Sequence, residues 1–140
     1  MQATYTLLIE LDRSALIPVG KKGHRTFKAG WYAYVGSALN GLEQRIGRHL
    51  RRKKKLHWHI DYLLEHAVVR GIIYAETAVK HECRVARSLL ETLEPVPGFG
   101  CSDCRCPTHL FYDDDTDRLR QVILSGFEDA GLAPLEKFYW

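Results

Sequence analysis

The chain has 140 residues, 46% hydrophobic and 26% charged, enough for one packed core and too apolar for a disordered tail. A net charge of only +3 does not by itself mark a nucleic-acid binder, and no apolar run nears the roughly 20 residues of a membrane-crossing helix. The opening "MQATYTLLIELDR" has no basic leader and meets Glu10 and Asp12 early, so the expected location is cytoplasmic.

In chain order, residues 4–11 ("TYTLLIEL") are apolar and β-branched and predict a buried strand. Turn chemistry at 18–24 leads into "RTFKAGWYAYVGS", two strand pieces broken at Ala29 and Gly30. From Leu42 the period becomes four: Leu42, Ile46 and Leu50 predict one apolar stripe of a helix over 42–52, with Asn40 as N-cap. A short helix over 58–66 turns Ile60, Leu63 and Leu64 inward. Residues 68–77 predict a strand, and Thr77 can cap a helix over 78–93. Pro, Gly and Ser mark 94–107 as loop, "THLFY" is a short strand, and an amphipathic helix runs from about 116 to 130. The pattern predicts an α/β (α+β) protein, a single domain with a small mixed or antiparallel sheet flanked by helices. Residues 1–112 form its body and 113–140 a C-terminal helical extension packed on it, with Phe138, Tyr139 and Trp140 folded back.

Charge is distributed unevenly. Seven Lys or Arg and no acid lie between Arg45 and Lys55, whereas "YDDDTD" at 112–117 holds four acids that favour the start of the last helix. On the 42–52 helix Arg45 and His49, four apart, border the apolar stripe, and Arg48 and Arg52 continue around that side. They either decorate a solvated face or line a phosphate-binding cleft, where Arg offers a planar fork and His a titratable nitrogen. Lys53, Lys54 and Lys55 either touch backbone phosphates or solvate a loop. On the 78–93 helix, Val79, Cys83, Ala86, Leu90 and Leu93 make the apolar arc, and Glu82 projects into its edge. A carboxylate there either pairs with a structural Arg or holds a cation. Trp58, between His57 and His59, either anchors the short helix or stacks on a base, with His59 the better site candidate of the two histidines.

Cys101, Cys104, Cys106 and His109 pack four soft ligands into nine residues. The spacing is tight for a zinc knuckle, so the loop either binds zinc, contributes Ser102, Asp103 and Arg105 to a cleft, or carries plain reduced thiols. Cys83 reads as a small core residue.

Together these positions resemble the signature of the GIY-YIG nuclease superfamily: a Tyr in a first strand, a Y-[IV]-G closing a neighbouring strand, an Arg on the next helix and a later Glu. Tyr5, then Tyr34-Val35-Gly36, Arg45 and Glu82 match in that order; His49 falls where members carry His or Tyr. "HWHIDYLL" and the loop "GFGCSDCRC" followed by "HLF" are similar to the Uri-type branch, and the resemblance covers residues 3 to 112. It implies a metal-dependent endonuclease cleaving phosphodiester bonds in DNA, in repair, recombination or processing. Tyr5, Tyr34, Arg45, His49 and Glu82 would be catalytic, and Glu82 would hold one Mg²⁺ or Mn²⁺. Gly36, Ser37, Arg48, Arg52, the three lysines and His59 would meet the nucleic acid. The alternative is a binding module of the same fold that cuts weakly or not at all. Two departures stand out: a longer interval between Tyr5 and Tyr34, implying an extra hairpin turning near Lys21, Lys22 and Gly23, and Ser37 where some relatives carry Lys.

Overall fold

The computed structural model describes residues 1–100 and 106–139. Strand β1 (Ala3–Leu11) lies inside a six-stranded sheet and is buried on both faces, with Thr4 and Thr6 among its buried residues. β2 (Ala15–Pro18) and β3 (His24–Phe27) form the inserted hairpin, turning through a short 3₁₀ segment at Gly20–Lys22. β4 (Gly30–Ala38) returns beside β1. Helices α1 (Leu42–Leu50) and α2 (His59–Leu64) precede β5 (Val68–Glu76), which takes the other side of β1. Helix α3 (Glu82–Leu90), β6 (Glu94–Pro95), β7 (Leu110–Asp113), α4 (Thr116–Asp129) and β8 (Leu135–Phe138) complete the chain. The sheet order is β6-β7-β4-β1-β5-β8, and every pairing among the described residues is antiparallel rather than mixed.

Alternation along the strands splits the core in two. Tyr5, Leu7, Ile9, Tyr32 and Tyr34 face α1, α2 and the hairpin, whereas Leu8, Ala33, Val35 and Ile73 face α3 and α4. Each fully buried Leu or Ile contributes about 1.5–3 kcal/mol, more than an exposed ion pair such as Lys28–Glu94. Residues 113–139 belong to the same packing: α4 lies on α3 through the second core, and β8 pairs with β5. The expected helical extension therefore ends in a strand, and the Tyr139 amide donates to the Arg70 carbonyl at 2.8 Å. Trp140 lies outside the described residues. Asp115 caps α4 by accepting from the amides of Asp117 and Arg118.

Several local expectations are corrected. Gly41, not Asn40, occupies the N-cap of α1, at φ 130°, a conformation that only glycine adopts easily. The buried stripe of α1 is Leu42, Ile46 and His49, while Leu50 is 43% exposed. His49 turns inward because the hydroxyl of Tyr5 meets it there. Helix α3 starts at Glu82 rather than residue 78; Thr77 does not cap it, its hydroxyl pairing instead with that of Thr4 at 3.1 Å. Val79 consequently lies outside the helix and is exposed instead of forming its apolar arc.

Candidate functional site

The register of β1 against β4 places Tyr5 opposite Gly36. A Cβ at Gly36 would lie 2.6 Å from the Tyr5 Cζ and hydroxyl, so glycine is what lets the phenol ring cross β4. Tyr34, two residues back, points to the same face. The chain then turns into α1, whose Arg45 donates to the Ser37 carbonyl at 3.0 Å and lays its guanidinium over the Trp58 ring, 4.8 Å from the centroid. From the other side of the sheet, the first residue of α3 brings in Glu82. The result is a cleft of about 470 Å³ lined by Tyr5, Tyr34, Gly36, Ser37, Arg45 and Glu82, together with Leu39, Asn40, Trp58, Lys80 and Gly100.

His49 stands behind this cleft, 3% exposed, with Nε2 2.8 Å from the Tyr5 hydroxyl. Its Nδ1 and the Ser37 hydroxyl are buried without a hydrogen-bond partner among the described residues. Burial, with the charges of Lys54 and Arg45, pushes the His49 pKa down to about 3, so the ring is neutral. Burial raises the Tyr5 pKa to about 12 against the opposing pull of Arg45, and drives Tyr34 up as well, helped by Tyr5 and Glu82. The tyrosines thus rest as phenols.

Other sequence candidates go elsewhere. Arg48, expected to meet nucleic acid, grips the fully buried Asp61 with two bonds of 2.8 Å and also stacks on the Trp58 ring, 4.2 Å from its centroid. Burial acts to raise the Asp61 pKa, but these bonds and the amides of His57 and Trp58 hold it at about 2. Arg48 is therefore a brace between α1 and α2. Lys54 donates to the carbonyls of Arg48 and His49 and closes the C-terminus of α1. His59 Nδ1 sits 3.2 Å from the Gly98 carbonyl, its ring against Phe99, holding the 96–100 segment to α2. Arg52, Lys53 and Lys55 are exposed and do not line the cleft. Among the described residues Arg45 forms no ion pair with a carboxylate, unlike Arg48.

Cys106 and His109 are both buried, and the residue that joins them is Cys83 of α3: the three ligand atoms all lie within 4.8 Å of one another. Cys83 Sγ is 3.7 Å from His109 Nε2, and the Cys106 thiol reaches the Cys83 carbonyl at 3.8 Å. Burial lowers the His109 pKa, leaving it neutral. Cys101, Ser102, Asp103, Cys104 and Arg105 lie outside the described residues. Sequence reasoning missed Cys83 as a partner of this group because 23 and 26 residues separate it from the other two. Lys80 was also missed; its place two residues before Glu82 is the only signal the sequence offered.

A family model described as "Domain of unknown function DUF123" matches residues 4–132. No curated protein and no solved structure matches the chain.

Proposed function

The chain belongs to the DUF123 family, and from its cleft we propose a metal-dependent endonuclease that hydrolyses phosphodiester bonds in DNA. The observation that carries this reading is the convergence of Tyr5, Tyr34, Arg45 and Glu82, from β1, β4, α1 and α3, on one cleft of about 470 Å³. This is also the ordered set that resembles the GIY-YIG signature.

The donors fit a small hard cation. One carboxylate, hydroxyls and room for retained waters suit Mg²⁺ or Mn²⁺, and among the described residues no thiol lines the cleft. Glu82 would hold the ion, which when bound supplies charge neutralisation at the scissile phosphate. Arg45, fixed by Ser37 and Trp58, clamps a non-bridging oxygen, and Lys80 adds a second positive charge. With Nδ1 carrying its proton, His49 accepts from the Tyr5 hydroxyl through Nε2 and turns the phenol's lone pairs toward the cleft. Tyr5 and Tyr34 there orient the attacking water, and the small phenolate fraction of Tyr5 takes its proton. Cleavage should then rise with pH through neutrality, since the phenolate fraction of Tyr5 grows about tenfold per unit below its pKa.

The same pKa shifts favour a second reading. None of Tyr5, Tyr34 and His49 rests near neutrality, which suits a DNA-binding module that cuts weakly. A labelled panel of single-stranded, duplex and branched DNA separates the two, read with Mg²⁺, Mn²⁺ or EDTA in wild type, Glu82→Gln and Arg45→Ala. Ion-dependent cutting that both variants lose supports the nuclease. Binding at low salt without cutting supports the module.

A further inference from the structure

We propose that Cys83, Cys106 and His109 form a zinc site, beside the cleft and sharing Lys80, Glu82 and Gly100 with its wall, that ties the start of α3 to the segment entering β7. Zinc bonds of ~2.3 Å to sulfur and ~2.05 Å to nitrogen at tetrahedral angles put sulfur and nitrogen roughly 3.6 Å apart and two sulfurs roughly 3.8 Å apart. Cys83 Sγ and His109 Nε2 already stand at 3.7 Å, and all three ligand atoms lie within 4.8 Å, so the cluster must close by only about 1 Å.

The scaffold is rigid on both sides. His109 is fixed by two backbone bonds, its amide to the Phe99 carbonyl at 2.7 Å and its carbonyl from the Val35 amide at 2.9 Å. Cys83 is the second residue of α3, and the Cys106 thiol points at its carbonyl. Two thiols with one imidazole select zinc over magnesium or calcium. A hollow of about 260 Å³ opens beside Cys83 and His109, with Lys80, Glu82, Arg84 and Arg87 on its wall. The hollow leaves room for a fourth ligand.

The test uses the full chain. Zinc content is measured after purification, and Co²⁺ is titrated into the metal-free protein. The expected result is one zinc per chain, with near-ultraviolet thiolate-to-cobalt absorption. Cys83→Ser and Cys106→Ser should each weaken zinc binding by at least about 100-fold, the upper end of what outer-shell partners alone contribute. Cys101→Ser and Cys104→Ser are the controls for the neighbouring cysteines. Zinc lost in those two but kept in Cys83→Ser would overturn the assignment. So would a wild-type chain without zinc that carries a Cys83–Cys106 disulfide. Wild type also gives a reading free of folding effects: zinc should protect Cys83 and Cys106 from alkylation, resolved by peptide mapping, and equal rates with and without zinc would refute the site.

Discussion

The cleft and the hollow beside the thiol cluster share Lys80, Glu82 and Gly100 in their walls, yet the groups gathered at each are of different chemistry. A Cβ on Gly100 would lie 3.2 Å from both the Tyr34 hydroxyl and His109 Nδ1, so this glycine, at φ +69°, packs between a phenol of the cleft and the imidazole of the thiol cluster. On one side stand hydroxyls, a carboxylate and a guanidinium; on the other, two thiols and an imidazole. Consecutive residues of α3, Glu82 and Cys83, supply the carboxylate and one of the thiols. Under the two proposals a single helix start serves two chemistries: hard oxygen donors suit Mg²⁺ or Mn²⁺, and soft sulfur donors suit zinc.

The largest expected effect tests that separation directly. Glu82→Gln should lower DNA cleavage by roughly 10²–10⁴-fold, and Arg45→Ala by about 10²–10³-fold, the range for a lost electrostatic stabiliser. Neither should change the zinc content of the chain. If Glu82→Gln also empties the zinc, the two regions are one site and the comparison fails.

Next in size is a pH effect on stability from the imidazole of the cleft. The His49 pKa is about 6.5 in an unfolded chain and about 3 here, so the unfolded state binds the extra proton between those values. Its stabilising contribution is complete above pH 6.5 and is lost as pH falls toward 3, amounting to roughly 3 kcal/mol at pH 4. Burial lowers His109 in the same direction, so His49→Gln should flatten only part of the slope of Tm against pH. Asp61, with its pKa at about 2, adds its own loss only below the ordinary carboxylate range. A wild-type slope unchanged by His49→Gln would mean that His49 is not held neutral by burial.

A smaller effect sharpens the cleft side alone. Gly36→Ala places a methyl 2.6 Å from the Tyr5 ring, which must shift. Overpacking of this kind costs about 1–3 kcal/mol, and displaced phenol geometry should cut DNA hydrolysis while zinc binding persists. Tm and cleavage measured on one preparation check both halves.

Much of the fold was legible because β1, β4, β5, α1 and α4 carry strong periodicity. β8 was not, since Leu135, Lys137 and Phe138 are largely exposed and give no buried alternation to read. The site was legible where an ordered motif exists, in Tyr5, Tyr34, Gly36, Arg45, His49 and Glu82, which the structure brings to or just behind one cleft. Helical spacing alone set His49 on a flank and Leu50 inside, whereas a hydrogen bond to Tyr5, 44 residues away, reverses them. Arg48 looked like a phosphate ligand only because its partner Asp61 is 13 residues off. Cys83 looked like core for the same reason: convergence across a fold leaves no local spacing.

The basic run after α1 gives the smallest effect and the finest division. Arg48 and Lys54 are consumed within the fold, by Asp61 and by the helix carbonyls, while Arg51, Arg52, Lys53 and Lys55 remain exposed. These four are available to backbone phosphates, so replacing them by Ala should leave Tm and zinc content unchanged. DNA affinity should fall, and the slope of log affinity against log salt should become shallower by about 0.9 for each phosphate that is no longer neutralised. Cleavage of bound DNA at saturation should persist, because none of the four lines the cleft. An unchanged salt slope would confine DNA recognition to the cleft residues, with the exposed run only solvating the surface.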